Sequence, residues 1–392
     1  MIVASTGTAG LFLELGGVLL GVAVLGRVAT RWGLPSVPLY LVAGILIGDG
    51  GVVPIVPARD FIQTGAEIGV ILLLLLLGLE YSGDELVGAL RTGLPAGLVD
   101  LVLNFTPGYL AGALLGWDFR AALLLGGITY ISSSGIIARL LSDLGSLGNR
   151  ETPVVLAILV TEDLMMALYL PLMAGLLIGG SALTIGVEIG LAIAVVIVVL
   201  GIAVVFGHRL SQLVFSRSDE HLLLTLLGVA LIVAGIAERV QASAAVGAFL
   251  VGIALSGPAE HAARQLLTPL KDLFAALFFV FFGLQIDPGA LPPMLLAAGA
   301  LAVVTAATKV ATGWWSAARA GISPPGRLRA GLTLIARGEF SIVIAGIAVA
   351  EGVEADIGPL SAAYVLMLAI GGPLAAKAAD PIWRKVIQRS RS

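Results

Sequence analysis

Apolar residues in this chain recur in blocks of about 20 rather than in the alternating or half-wet patterns of a soluble fold, and polar residues gather in the gaps between them. A bilayer core about 30 Å thick needs about 20 such residues per helix. The blocks predict transmembrane helices near 10–30, 36–48, 62–80, 93–116, 120–141, 152–179, 182–206, 221–239, 243–256, 270–286, 292–318, 328–351 and 358–380. The spans near 36–48 and 243–256 are short, so they must stand upright or be shielded by neighbours. No basic residue precedes the first block, so it reads as a retained helix and not as a cleaved signal peptide. The expected fold class is an all-α membrane protein of about 13 transmembrane helices.

Charge fixes the orientation. Under this count one side of the membrane collects seventeen of the 22 Lys and Arg in loops and at span ends, the other has three (Arg59, Arg120 and Arg239), and Lys309 and Arg337 lie deep inside spans. Cytoplasmic loops hold the basic excess, which places the N-terminus outside and the C-terminus in the cytoplasm. The remaining composition mainly excludes. Hydrophobic residues make up 58% of the chain and charged ones 12%, with a mean hydropathy of +1.06. Without Cys there is no disulfide, thiolate metal site or redox chemistry. A net charge of -3 is unsuited to nucleic acid. His208, His221 and His261 fall in cytoplasmic loops with no metal-ligand spacing, so surface solvation or pH sensing are their possible uses. Nothing in the pattern suggests an enzyme or a cofactor beyond a transported cation and proton.

Three segments recur in order. Ala43-Gly44-Ile45 resembles Val251-Gly252-Ile253, Leu77-Gly78-Leu79 resembles Phe282-Gly283-Leu284, and Arg120-Ala121-Ala122-Leu123 resembles Arg329-Ala330-Gly331-Leu332, at offsets between 205 and 209 residues. That offset spans seven predicted helices, an odd number, so the second copy is inverted relative to the first. Inverted repeats place a substrate site near the midplane in many secondary transporters.

Five charges stand out near the middle of apolar spans. Thr161, Glu162 and Asp163 lie mid-helix in AILVTEDLMMALYLP, Lys309 in TAATKVATGWW, and Arg337 and Glu339 in LIARGEFSIVIAG. Each charge costs about 2.5–3.5 kcal/mol at a helix centre, so they must face one another or water. Glu162 and Asp163 leave their helix about 100° apart. The simplest arrangement pairs Glu162 with Lys309 and leaves Asp163 facing a wet cavity. Burial favours the protonated carboxyl and a bound cation favours the ionised one, so one acid can take either. Competition of that kind is the minimum chemistry of exchange; the alternative is a purely stabilising network. In GGITYISSSGIIARLL, Ser132, Ser133, Ser134 and Gly135 interrupt the apolar run, as RGEF does in the matching segment. Both favour a broken helix, whose carbonyls can line an ion path, although small residues can also serve helix packing. At crossed broken helices Glu339 suits the N-terminal half-ends, and Arg337 or Lys309 the carbonyl ends. Asp100 and Asn104, at i and i+4, either line the cavity or bond each other. Trp314 and Trp315 suit an interfacial belt.

With these residues in place, the chain resembles the monovalent cation:proton antiporter-2 family, which includes potassium-efflux and sodium/proton antiporters. The resemblance rests on VPLYLVAGILIG, AEIGVILLLLLLGLE, SSSGIIARLL, the Glu162-Asp163 pair, PLKDLFAALFFVFFGLQID, Lys309 and RGEF. It implies a sodium/proton antiporter-like fold with two crossed discontinuous helices, and a homodimer working by elevator-type movement. Residues 1–83 and 220–290 would form a scaffold and dimer domain, and 84–180 and 291–392 a transport core with a cytoplasmic tail. Residues 181–219 would form a linker helix. By the same resemblance Asp163 carries the ion, Ser132 and Ser133 line the crossover, and Glu339 stabilises the broken helices. Glu162 departs from the Gln or Asp that such families carry before the ion-binding Asp. The chain stops at KVIQRSRS, so the family's frequent cytosolic nucleotide-binding domain is replaced, on this expectation, by a separate regulatory subunit. The expected function is exchange of K+ or Na+ for H+ across a bacterial inner membrane; a gated cation channel and a transport-inactive sensor are the alternatives. Were Glu162 drawn off by the cation and Lys309 then deprotonated, exchange would carry net charge.

Overall fold

The computed structural model describes residues 8–32, 36–48, 59–79, 83–178, 218–239, 244–255 and 260–384. The expected span at 182–206 lies outside the described residues. The described chain is helical throughout: α1 (Thr8–Arg31), α2 (Val37–Ile47), α3 (Arg59–Leu79), α4 (Gly83–Leu114), α5 (Phe119–Tyr130), α6 (Ser134–Asp143), α7 (Thr152–Ile178), α8 (Asp219–Arg239), α9 (Ala244–Leu255), α10 (Glu260–Leu284), α11 (Leu291–Arg319), α12 (Pro324–Thr333), α13 (Glu339–Ala350) and α14 (Ile357–Lys377). Among them seven segments are long and apolar enough to cross a membrane.

Most of these helices end within a few residues of the apolar blocks. Two start about ten residues early, α4 at Gly83 and α10 at Glu260. The added turns, GDELVGALRT and EHAARQLLTP, are amphipathic, and hydropathy reports where a helix is dry, not where it begins. Asp118 caps α5 by accepting from the Ala121 amide at 2.8 Å. The sharp turns after α4 and α11 use Gly116 (φ 81°) and Gly321 (φ 70°), and those after α6 and α13 use Gly145 (φ 62°) and Gly352 (φ 60°). Only glycine adopts such values without cost.

The chain divides into two compact units. One comprises Arg59–Thr92 and Asp163–Phe281. Its core joins Leu72, Leu75 and Leu79 of α3, Leu222 and Leu226 of α8, Ala248 and Leu255 of α9, and Leu267 of α10. α9 is the inner element, packed on both α3 and α8. Gly252 lets it approach α3 closely: a Cβ there would collide with the Leu75 carbonyl oxygen and lie 2.7 Å from the Gly78 Cα.

The other unit comprises Met1–Ala58, Gly93–Glu162 and Phe282–Ser392. The segment Phe119–Ile137 is 78% buried and α14 is 72% buried, against 17% for α1 and 22% for the Pro288–Arg319 segment. The first two therefore form the middle of this unit, and the last two present apolar side chains outward, as lipid-facing helices do. α14 packs against α11, α12, α13 and α5. At Gly283 a Cβ would collide with the Leu41 carbonyl oxygen and lie 2.8 Å from the Gly44 Cα, the same close approach that Gly252 makes in the other unit. Arg319 and Arg327 cover the rings of Trp315 and Trp314.

Candidate functional site

Two helices are interrupted, and their breaks meet. α5 stops at Tyr130, Ile131–Ser133 run without helical structure, and α6 resumes at Ser134. α12 stops at Thr333 and α13 resumes at Glu339. The Ser133 amide donates to the Ala336 carbonyl at 2.9 Å, and the Ser341 hydroxyl donates to the Ile128 carbonyl at 2.8 Å. Gly338 is required at this contact, since a Cβ there would press on the Ser133 side chain.

Each break leaves one helix end with unpaired carbonyls and one with unpaired amides. Arg337, fully buried, serves the carbonyl ends. Its Nη2 donates to the Thr129 oxygen at 3.0 Å, and its Nη1 reaches the Leu334 and Ile335 oxygens at 3.1 Å. One guanidinium thereby caps the last turns of both α5 and α12, where the helix dipoles are negative. Glu339 serves the amide ends. It opens α13, accepts from the Ser133 hydroxyl at 2.9 Å, and lies against Gly135 in the first turn of α6. Ser133 in turn accepts from the Ile136 amide at 3.2 Å.

Beside the breaks lies a buried charge cluster. Lys309 of α11 donates to both oxygens of Asp100 on α4, at 2.7 and 2.8 Å, and to Glu162 of α7 at 2.8 Å. All three side chains are fully buried. The expected pair of Glu162 with Lys309 is therefore present. Glu162 also accepts from the Ser132 backbone amide and, at 3.0 Å, lies within bonding distance of the Ser132 hydroxyl. That ties the cluster to the first break. Lys309, the alternative to Arg337 for the carbonyl ends, does not go there, because two carboxylates hold its ammonium and Arg337 fills that role. The Tyr130 ring lies 5.5 Å from the Lys309 Nζ.

Asp100 is the partner that the sequence pattern leaves open. Asn104 donates to its Oδ1 at 2.9 Å, as an i,i+4 pair can, and accepts from the Thr308 hydroxyl at 2.7 Å. A usable signal existed in the repeat. Asp100 and Lys309 are separated by 209 residues, within the range of offsets at which the motifs recur.

The remaining candidates are placed along α7, which runs unbroken through them. Thr161 is buried, with its hydroxyl donating to the Ala157 carbonyl at 2.8 Å. Its methyl fits against Gly97 of α4. Asp163 is 3% exposed and follows Glu162 in the same turn, about 100° further around the helix.

A family described as "Sodium/hydrogen exchanger, transmembrane" matches residues 18–378. This chain belongs to that family. As a member of it, the chain is a multi-pass membrane protein, in keeping with its seven apolar spanning segments. It is similar to the K(+)/H(+) antiporter subunit KhtU of Bacillus subtilis, with 32% identity over 95% of each chain. It is also similar to the Ammonium/H(+) antiporter subunit AmhT of Alkalihalophilus pseudofirmus, with 30% identity over 94% of this chain and 93% of that one. Among solved structures, the sodium proton antiporter MjNhaP1 from Methanocaldococcus jannaschii shares the fold, with a TM-score of 0.69 over 94% of this chain and 96% of that one, at 18% identity. The resemblance to monovalent cation:proton antiporters read from the motifs is thus supported along nearly the full chain.

Proposed function

We propose that this member of the sodium/hydrogen exchanger family is a secondary active transporter that exchanges a monovalent cation, K+ or Na+, for H+. The observation that carries the reading is the fully buried cluster of Lys309, Asp100 and Glu162 beside two meeting helix breaks. Charges so placed are costly in a membrane and belong to ion paths. The names of the relatives, K(+)/H(+) and Ammonium/H(+) antiporter subunits, point the same way. Asp163 is the shared carboxylate, taking a proton or a cation in turn. Glu162, Thr161, Ser132 and Ser133 shape its surroundings, and Lys309, Arg337 and Glu339 compensate charge. The cation and proton are cargo, and no cofactor is needed.

The wider architecture follows the same reading: about thirteen spans in two inverted repeats, with crossed discontinuous helices and elevator-type movement of a core against a dimer scaffold. Residue pairing across the breaks supports the inverted repeat. Ser133 with Ala336 and Ser341 with Ile128 join matching positions of the two copies, Ser133 to Ser341 and Ile128 to Ala336 at one offset of 208 residues, the first through the serine amide and the second through the serine hydroxyl. Residues related by a two-fold axis meet each other where they lie close to it, and Thr129 with Arg337, also 208 apart, do so. The N-terminus lies outside and the C-terminus in the cytoplasm, where a separate regulatory subunit can meet the basic loops. Reconstituted vesicles carrying a cation gradient test the function. The wild type is expected to acidify or alkalinise the lumen according to the gradient, and Asp163→Asn to lose this. Undiminished exchange by Asp163→Asn would remove the proposed site.

A further inference from the structure

Asp100 binds neither ion in the exchange just described, yet it holds Lys309 by two oxygens where Glu162 offers one. Its own position is fixed. Asn104 donates to Oδ1 at 2.9 Å while receiving the Thr308 hydroxyl at 2.7 Å, and the Asn104 amide also lies 3.3 Å from the Thr312 hydroxyl. The groups facing the ammonium are thus Asp100 from α4, Glu162 from α7 and the Tyr130 ring from α5; on α11 itself, Thr308 and Thr312 meet Asn104 and Thr305 meets Tyr364. Two carboxylates around one ammonium leave it a paired cation even after one of them is withdrawn.

We propose that Asp100 is the positioning residue that keeps Lys309 protonated through the whole transport cycle, so that one cation is exchanged for one proton and no net charge crosses the membrane. The proposal rests on the reading of Asp163 as the ion carrier. In the cycle, the cation binds the Asp163 carboxylate as that group gives its single proton to water on the open side. If the cation draws Glu162 towards itself, Asp100 still pairs Lys309, and the ammonium keeps its proton. The net-charge outcome expected from a lone Glu162–Lys309 pair does not arise. Without the Asp100 charge it returns: withdrawal of Glu162 strands a buried ammonium, which releases its proton to the same water, and two protons leave for each cation bound.

The stoichiometry is read at the null point, where opposed cation and proton gradients across reconstituted vesicles give zero flux. For the wild type, flux is expected to vanish when the proton ratio equals the cation ratio, and to do so at every imposed membrane potential. For Asp100→Asn, the balancing proton ratio is expected to fall to the square root of the cation ratio at zero potential and to shift with potential. Asp100→Glu is expected to restore equality. Asn104→Ala, which keeps every charge but unpins Asp100, is expected to move the null point in the same direction and covers the case in which Asp100→Asn does not assemble. A wild-type null point that moves with potential overturns the proposal while leaving antiport intact. So does an Asp100→Asn or Asn104→Ala protein that exchanges at the wild-type null point. A wild type that moves no cation against protons removes the parent reading, and this one with it.

Discussion

Replacing Arg337 by Met would remove one side chain and leave two helix ends uncapped. The wild-type guanidinium satisfies the carbonyls of Thr129, Leu334 and Ile335, all at fully buried or nearly buried positions. Met fills a similar volume but donates nothing, so three acceptors lose a charged donor together, and only the Leu334 carbonyl keeps another, the Ser132 hydroxyl at 3.1 Å. A buried polar group left unsatisfied costs about 1–3 kcal/mol, which sets an upper bound near 6 kcal/mol for the two carbonyls of Thr129 and Ile335. Relaxation of the last turn of each helix and entry of water recover part of that. A loss of about 3–5 kcal/mol is expected, the range measured when one partner of a buried charged set is deleted. Against a total stability of about 5–15 kcal/mol this is severe, and it corresponds to a melting shift of about 4–6 °C for a chain of this length. Heating detergent-solubilised protein and measuring the monodisperse fraction that survives would read the shift. Arg337→Lys is expected to fall between the two, because a single ammonium cannot span both helix ends as the planar fork does. If Arg337→Met melted within about 2 °C of the wild type, the capping role derived from these distances would be wrong.

Glu339→Gln keeps the shape of the side chain but removes the charge shared by the first turns of α6 and α13. A loss of about 1–2 kcal/mol is expected in the same heating assay, smaller than for Arg337→Met; an equal or larger loss would contradict the assignment of one charge to each type of end. Gly252→Val and Gly283→Val should each destabilise by about 1–3 kcal/mol or reduce the folded yield, because the new Cβ meets backbone that cannot move aside. Gly228→Ala on α8, where a Cβ meets nothing within 4 Å, serves as the control. If the control lost as much as Gly252→Val, packing would not be the cause.

Much of this arrangement was legible because membrane helices are written in long apolar runs whose interruptions stand out. The breaks at Ser132–Ser134 and at RGEF were visible as polar residues where lipid permits none. The pairing of Glu162 with Lys309 followed from the cost of leaving either alone. What stayed hidden were choices between partners of similar chemistry. Arg337 and Lys309 are both cations near carbonyl ends, and only the fold brings Arg337 to them and Lys309 to Asp100. Asp100 and Asn104 could satisfy each other locally at i,i+4, so nothing in the pattern demanded a third group. The lead residues of α10 were hidden for another reason: Glu260, His261 and Arg264 are polar, and a helix outside the bilayer needs no apolar run.

The two halves of the site are joined by bonds that constrain how it can move. Thr129, whose carbonyl receives Arg337, turns its hydroxyl to the Asn104 carbonyl at 2.9 Å. Thr305, one turn before Lys309, lies 2.9 Å from the Tyr364 hydroxyl, which in turn lies 3.2 Å from Arg337. The helix breaks and the Lys309–Asp100–Glu162 cluster thus share one hydrogen-bonded network. Sliding one break past the other would separate Ser133 from Ala336, leaving neutral buried groups unpaired at about 1–3 kcal/mol, and Arg337 from Thr129, stranding a buried charge at about 3–5 kcal/mol. Translating the network as a single body breaks none of these bonds. If transport requires alternating access, movement of the whole network is the cheaper route. A cross-link between cysteines placed at Thr129 and Arg337 should then destroy capping without being needed to arrest motion. One between cysteines at Ile128 and Ser341, which keeps Arg337 in place, should leave exchange intact; arrest by that second link would show that the breaks move against each other.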